Sequence, residues 1–94
     1  MTKSIAKLTA EARRLKLLQT LHNATEYTAD LGVLCDYLLV GMMVLLEEVG
    51  WLTEHGLVDL DQVDGVTSLR LTRLGKDVAM GRERISGVRR PDPQ

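Results

Sequence analysis

Few residues in this 94-residue chain have types and spacings suited to chemistry. His22 and His55 lie far apart in sequence, and neither has a Cys or His at a ligand spacing, so they read as ordinary surface or cap residues rather than metal ligands. The single cysteine, Cys35, falls in an apolar stripe with no feature that lowers a thiol pKa, so it reads as a small core residue. Glu47 and Glu48 are adjacent. On a helix their side chains diverge by about 100° and cannot act together on one bond. The eight glycines are scattered and form no phosphate-binding loop. The chain therefore reads as a non-enzyme, with no metal and no cofactor.

Charge is the more informative pattern. The formal total is -1, from 12 Lys and Arg against 13 Asp and Glu. Residues 1–20 carry five basic groups (Lys3, Lys7, Arg13, Arg14, Lys16) and one acid; residues 21–64 carry no Lys or Arg and nine acids. Residues 65–94 carry seven basic groups and three acids. Basic ends thus flank an acidic middle.

Those groups must be held by a small core. The length suits one domain, and hydrophobic residues make up 45% of the chain. Trp51, Tyr27 and Tyr37 are the only aromatics. A core of Leu, Val, Ile, Ala and Met favours helices. One cysteine excludes an internal disulfide framework. The longest nearly apolar stretch, 37–46, is shorter than the roughly 20 residues a membrane-spanning helix needs, and the first 21 residues lack a signal-peptide pattern. A soluble cytoplasmic protein is expected, with no membrane contact.

Ile5, Leu8, Ala12, Leu15, Leu18 and Leu21 recur at helical spacing and predict a first amphipathic helix, its basic residues mostly facing water. Thr28 is the expected cap of a second helix, with Asp30 in its first turn and Leu31, Leu34, Cys35 and Leu38 buried. A tight turn near Gly41 precedes a third helix from Met42, burying Leu45, Val49 and Leu52 and stopping at Gly56. Two runs, 57–61 and 66–71, flank Asp64-Gly65 and predict a β-hairpin. Thr72 caps a last helix with Leu74, Val78 and Ala79 inward and Gly81 as its stop. Residues 1–81 thus form the expected domain. Residues 82–94 form a basic tail that is ordered only if it docks.

Two helices joined by a short turn and followed by a hairpin define a mainly α fold with a β-hairpin wing, the winged helix-turn-helix. A four-helix bundle is the rival, and the Asp64-Gly65 turn argues against it. Trp51-Leu52-Thr53-Glu54-His55-Gly56-Leu57-Val58 resembles the junction of recognition helix and wing in bacterial winged-helix transcription regulators. Leu71-Thr72-Arg73-Leu74-Gly75 resembles the entry to the helix after their wing. The segment from Leu71 through Arg82, with Gly87-Val88-Arg89-Arg90-Pro91, is similar to the end of a family of small winged-helix proteins of Mu-like prophages, a resemblance that extends weakly to the first helix. It implies the fold, a phage or prophage setting, and an ancestral role in DNA binding or transcription control.

The chain departs from that family at the third helix, where Met42, Met43, Val44 and Leu46 replace a polar start and are followed by Glu47 and Glu48. Base reading in the major groove uses Arg, Lys, Asn, Gln or small polar residues. The hairpin likewise offers Asp59, Asp61 and Asp64 where phosphates would lie. DNA contact would then fall to Arg70, Arg73, Lys76, Arg82, Arg84, Arg89 and Arg90, unless these are simply solvated charges. Five consecutive apolar residues, 42–46, cannot all face one core. Met42, Met43, Val44, Leu46 and Trp51 are therefore the candidate interface of a homodimer or with a protein partner, unless the first and last helices cover them. The expected function is a phage-type winged-helix regulator of double-stranded DNA, and the alternative is an interaction module that does not bind DNA.

Overall fold

The computed structural model describes Ile5 and residues 8–91; Lys3, Lys7 and residues 92–94 of the expected tail lie outside the described residues. Helix α1 spans Ala10–His22, strand β1 Thr28–Asp30, α2 Leu31–Leu38, α3 Met42–Glu54, β2 Val58–Val63, β3 Val66–Leu71 and α4 Arg73–Met80. The arrangement is the winged helix-turn-helix that the helix and hairpin patterns predict.

Helix α1 starts later than its apolar stripe suggests. The Thr9 hydroxyl accepts from the Ala12 N–H and caps it, while Leu8 stays partly exposed and Ile5 packs separately on the core. Leu15, Leu17, Leu18 and Leu21 are its buried face. A one-turn 3-10 segment, Thr25–Tyr27, then leads into β1.

Residues 28–30 correct the expected cap of α2. Thr28 is in a strand, and the Asp30 carboxylate accepts from the Val33 N–H and caps the helix. Strand β1 is antiparallel to β3, with Thr28 opposite Arg70 and Asp30 opposite Ser68, so the sheet order is β1-β3-β2. Leu31, Leu34 and Leu38 face the core, with Cys35 packed against it. Leu39 takes a left-handed conformation and Gly41 caps α3, which forms the tight turn of the helix-turn-helix.

In the hairpin, Asp64 (φ 52°) and Gly65 (φ 77°) both have positive φ, as a two-residue primed turn requires. Val58 pairs with Leu71 and Leu60 with Leu69 on one face, where Val58, Leu69 and Leu71 are buried and Leu60 is exposed; Asp59 and Asp61 lie on the other face with Arg70 and Ser68. Thr72 ties three elements together. Its hydroxyl donates to the Gly56 carbonyl (2.6 Å) and accepts from the Gly75 N–H (3.0 Å), while its N–H donates to the Leu57 carbonyl. Gly75 is required by close approach, because a Cβ there would overlap the Leu57 carbonyl. Within α4, Val78 and Ala79 are buried as expected, but Leu74 is exposed.

Residues 82–91 lie on the domain. Gly81 ends α4 in the left-handed region, and Ile85 and Val88 pack against the core, which the polar composition of this stretch did not suggest. The Arg89 N–H donates to the Glu11 carbonyl (3.1 Å), anchoring this segment along α1.

Candidate nucleic-acid and protein interface

Helix α3 is the element that a winged helix directs at its target, so its two sides define the site. Its inner side holds Leu45, Glu48, Val49 and Leu52, all buried. Glu48 is the one buried charged residue among the described ones, at 1% exposure. One carboxylate oxygen accepts from Arg13 Nε at 2.6 Å and lies 2.6 Å from its Nη2 in an ion pair, and the other accepts from Arg14 Nε at 2.9 Å. Two further donors are engaged: Arg13 Nη1 donates to the Leu8 carbonyl and Arg14 Nη1 to the Gly87 carbonyl.

This corrects two expectations. Arg13 and Arg14 turn inward and are largely covered, and Glu48 is buried rather than presented outward. A buried carboxylate is tolerated only when paired and hydrogen-bonded. Two consecutive arginines one turn into α1 supply both conditions. No sequence pattern announced them as partners, because residues 13, 14 and 48 meet only when α1 crosses α3.

Trp51 extends the same cluster. The Arg14 guanidinium lies 4.0 Å from its ring centroid, and His55 stacks on it at 3.7 Å and 17°. His55 Nδ1 donates to the Trp51 carbonyl at 2.8 Å. Gly87, with φ 99°, passes so close that a Cβ would overlap the indole. Trp51 is thus covered by α1 and by residues 82–91. Val44 is likewise packed against the core. These two of the five candidate interface residues belong to the interior contacts of the domain.

The other three, Met42, Met43 and Leu46, are exposed, Met43 at 87%. At about 100° per residue, Met43, Glu47, Gly50 and Glu54 fall on one outward stripe, with Met42, Leu46 and Thr53 beside it. All seven are exposed. The surface is apolar with an acidic flank. Cys35 Sγ sits 3.9 Å from Met42 Sδ at its edge. Burial first, then Asp36 and Asp30, pushes the Cys35 thiol pKa up.

The seven candidate DNA-binding cations separate into two groups. Arg70 lies on the outer side of the sheet, opposite Thr28 and loosely paired with Asp59 at 4.0 Å. Lys76 stands 4.0 Å over the Tyr27 ring beside that strand, and Arg73 is one turn earlier on α4. Arg82 (3.9 Å from Asp77), Arg84, Arg89 and Arg90 lie along the segment that follows. Arg89 and Arg90 line a groove of about 550 Å³ with Leu8, Ala12, Lys16 and Met80. None of the seven is on α3 or at the wing tip.

Among the described residues no three His, Cys, Asp or Glu side chains come together to hold a metal ion. Among them, too, no helix is long and apolar enough to cross a membrane.

A helix-turn-helix followed by a two-stranded wing, with a third strand closing the sheet, defines a winged-helix protein. The chain is similar in structure to the transcriptional regulator HlyU from Vibrio vulnificus CMCP6, with a TM-score of 0.63 and 28% identity over 72% of this chain and 69% of that one. It is also 35% identical over 95 residues to the uncharacterized protein gp26 of Escherichia phage Mu, covering 96% of this chain and 98% of that protein. The chain belongs to the gp26 family. No family model matches it.

Proposed function

We propose that the protein is a phage-type winged-helix transcription regulator that binds duplex DNA as a homodimer. The observation that carries this reading is the helix-turn-helix and wing in one sheet, together with the similarity to a transcriptional regulator over more than two thirds of the chain. Phosphate contact falls to Arg70, Arg73 and Lys76 beside β1 and to Arg82, Arg84, Arg89 and Arg90 along the last segment, because α3 offers no cation. A gel-shift titration of duplex DNA at low salt tests it. Retardation is expected by about 10 µM protein, the range of nonspecific grips. Replacing Arg70, Arg73 and Lys76 by Ala should weaken binding and flatten its salt dependence. Absence of any shift rejects the reading, and sedimentation of the free protein at monomer mass rejects the homodimer.

A second reading is favoured by α3 itself: a winged-helix interaction module that does not read DNA. Met43 and Leu46 stand exposed at the positions of a reading helix, and Glu47 and Glu54 repel phosphate. If DNA is retained and the variant Met43→Glu with Leu46→Glu releases it, this second reading fails.

A further inference from the structure

We infer that the outer face of α3 docks a cationic amphipathic helix of another protein; this rests on the interaction reading and gives its partner a chemistry. The face has the form that a helix needs. Met43 and Leu46 are exposed apolar anchors one turn apart, with Met42 beside them. One turn further, a Cβ at Gly50 would meet no atom within 4 Å, so the stripe ends in an open notch where a second backbone can come close. An apolar ridge followed by a shallow notch suits a helix laid along it better than a flat surface.

Charge selects the kind of helix. Glu47 and Glu54 are two turns apart on the same outward stripe as Met43 and Gly50, both exposed, and residues 21–64 contain no Lys or Arg to neutralise them. The nearest cations of α1 are already committed. Arg13 and Arg14 hold Glu48 on the inner side and also donate to the Leu8 and Gly87 carbonyls. The basic segment 82–91 runs past Trp51 and Glu11, and among the described residues it forms no ion pair with Glu47 or Glu54. A second copy of the same face brings no cation either, so self-pairing would double the negative charge at the contact. A helix with an apolar stripe and Lys or Arg spaced two turns apart satisfies both features, and complementary charge adds register and association rate.

The test uses the full chain and a fluorescein-labelled peptide of about 18 residues, five helical turns, with Leu on one face and Lys on its flanks. Two control peptides carry Glu or Gln in place of Lys. Fluorescence anisotropy should show the Lys peptide binding at least about tenfold more tightly than either control. Met43→Ser with Leu46→Ser should weaken it at least about tenfold. Both residues are exposed, and circular dichroism checks that the variant remains folded. Glu47→Lys with Glu54→Lys should reverse the preference toward the Glu peptide. If the Lys peptide binds the Met43/Leu46 variant as well as the wild type, or if charge reversal leaves the preference unchanged, the inference is overturned. A Gln peptide that binds as tightly as the Lys peptide and depends on Met43 and Leu46 overturns the cationic partner while leaving the interaction reading intact. No peptide bound, with duplex DNA held through Met43 and Leu46, overturns both.

Discussion

Glu47 and Glu48 are neighbours in the chain and end in opposite surroundings. Glu48 is buried between two arginines of α1, and Glu47 is exposed beside Met43. The inner side of α3 is fully satisfied: two guanidinium groups, their four polar partners, an indole and an imidazole leave no described buried side-chain polar atom without a bond. The outer side combines unpaired carboxylates with exposed thioether and leucine side chains. One side holds the fold and the other is exposed. Residue type does not separate them, since each contains Glu and apolar residues. The helical period does.

The largest test of this contrast is Glu48→Ala. It strands two half-buried guanidinium groups, and because these retain some access to water the loss should be about 2–3 kcal/mol, read as a lowered urea midpoint. Glu47→Ala should stay within about 0.5 kcal/mol of wild type in the same titration. Equal effects at the two positions would erase the distinction between the sides.

Gly87→Ala is expected to come next, at about 1–2 kcal/mol, since it adds a Cβ against the indole and strains a positive φ. Trp51 is the only tryptophan, so its emission should shift red as the ring is exposed. An unchanged spectrum would mean that residues 82–91 do not cover it.

Smaller still, Met43→Ser with Leu46→Ser should cost no more than about 1 kcal/mol, because Met43 is 87% exposed and Leu46 about half exposed, leaving mainly the lower helix propensity of Ser. A larger loss would place them in the core. Cys35, on the border beside Met42, gives the finest probe. Its raised pKa lowers the thiolate fraction, so iodoacetamide at pH 8 should alkylate it more slowly than a free thiol, and alkylation should speed up as pH rises. Reaction at the free-thiol rate would contradict the burial of that edge.

Much of the frame was legible because it depends on neighbours in sequence. The stripes at Leu15, Leu18 and Leu21 and at Leu45, Val49 and Leu52 follow from the helical period. Asp64-Gly65, Thr72 and Gly81 hold the conformations that their types favour. Strand β1 escaped because three residues carry no periodicity and their partners are in β3, about forty positions away. The Asp30 cap escaped for a related reason: Thr28 and Asp30 can both accept from a helix N-terminus, and the pairing of Thr28 with Arg70 assigns the role to Asp30. The candidate surface was half legible. A run of five apolar residues had to leave some exposed, but which ones depended on what α1 and residues 82–91 cover.

By itself the sequence determined four helices, a hairpin, the Thr72 cap of the last helix, and an acidic middle between basic ends. These are set by short-range sterics, period and composition. Only the tertiary structure decided that Arg13 and Arg14 turn inward, that Glu48 is buried, that Trp51 is covered and that Met43 is not. The reason is the energy of burial. A charge entering the interior must meet its opposite there, and the one geometry that brings Glu48 to two arginines also turns Met43 and Glu47 outward.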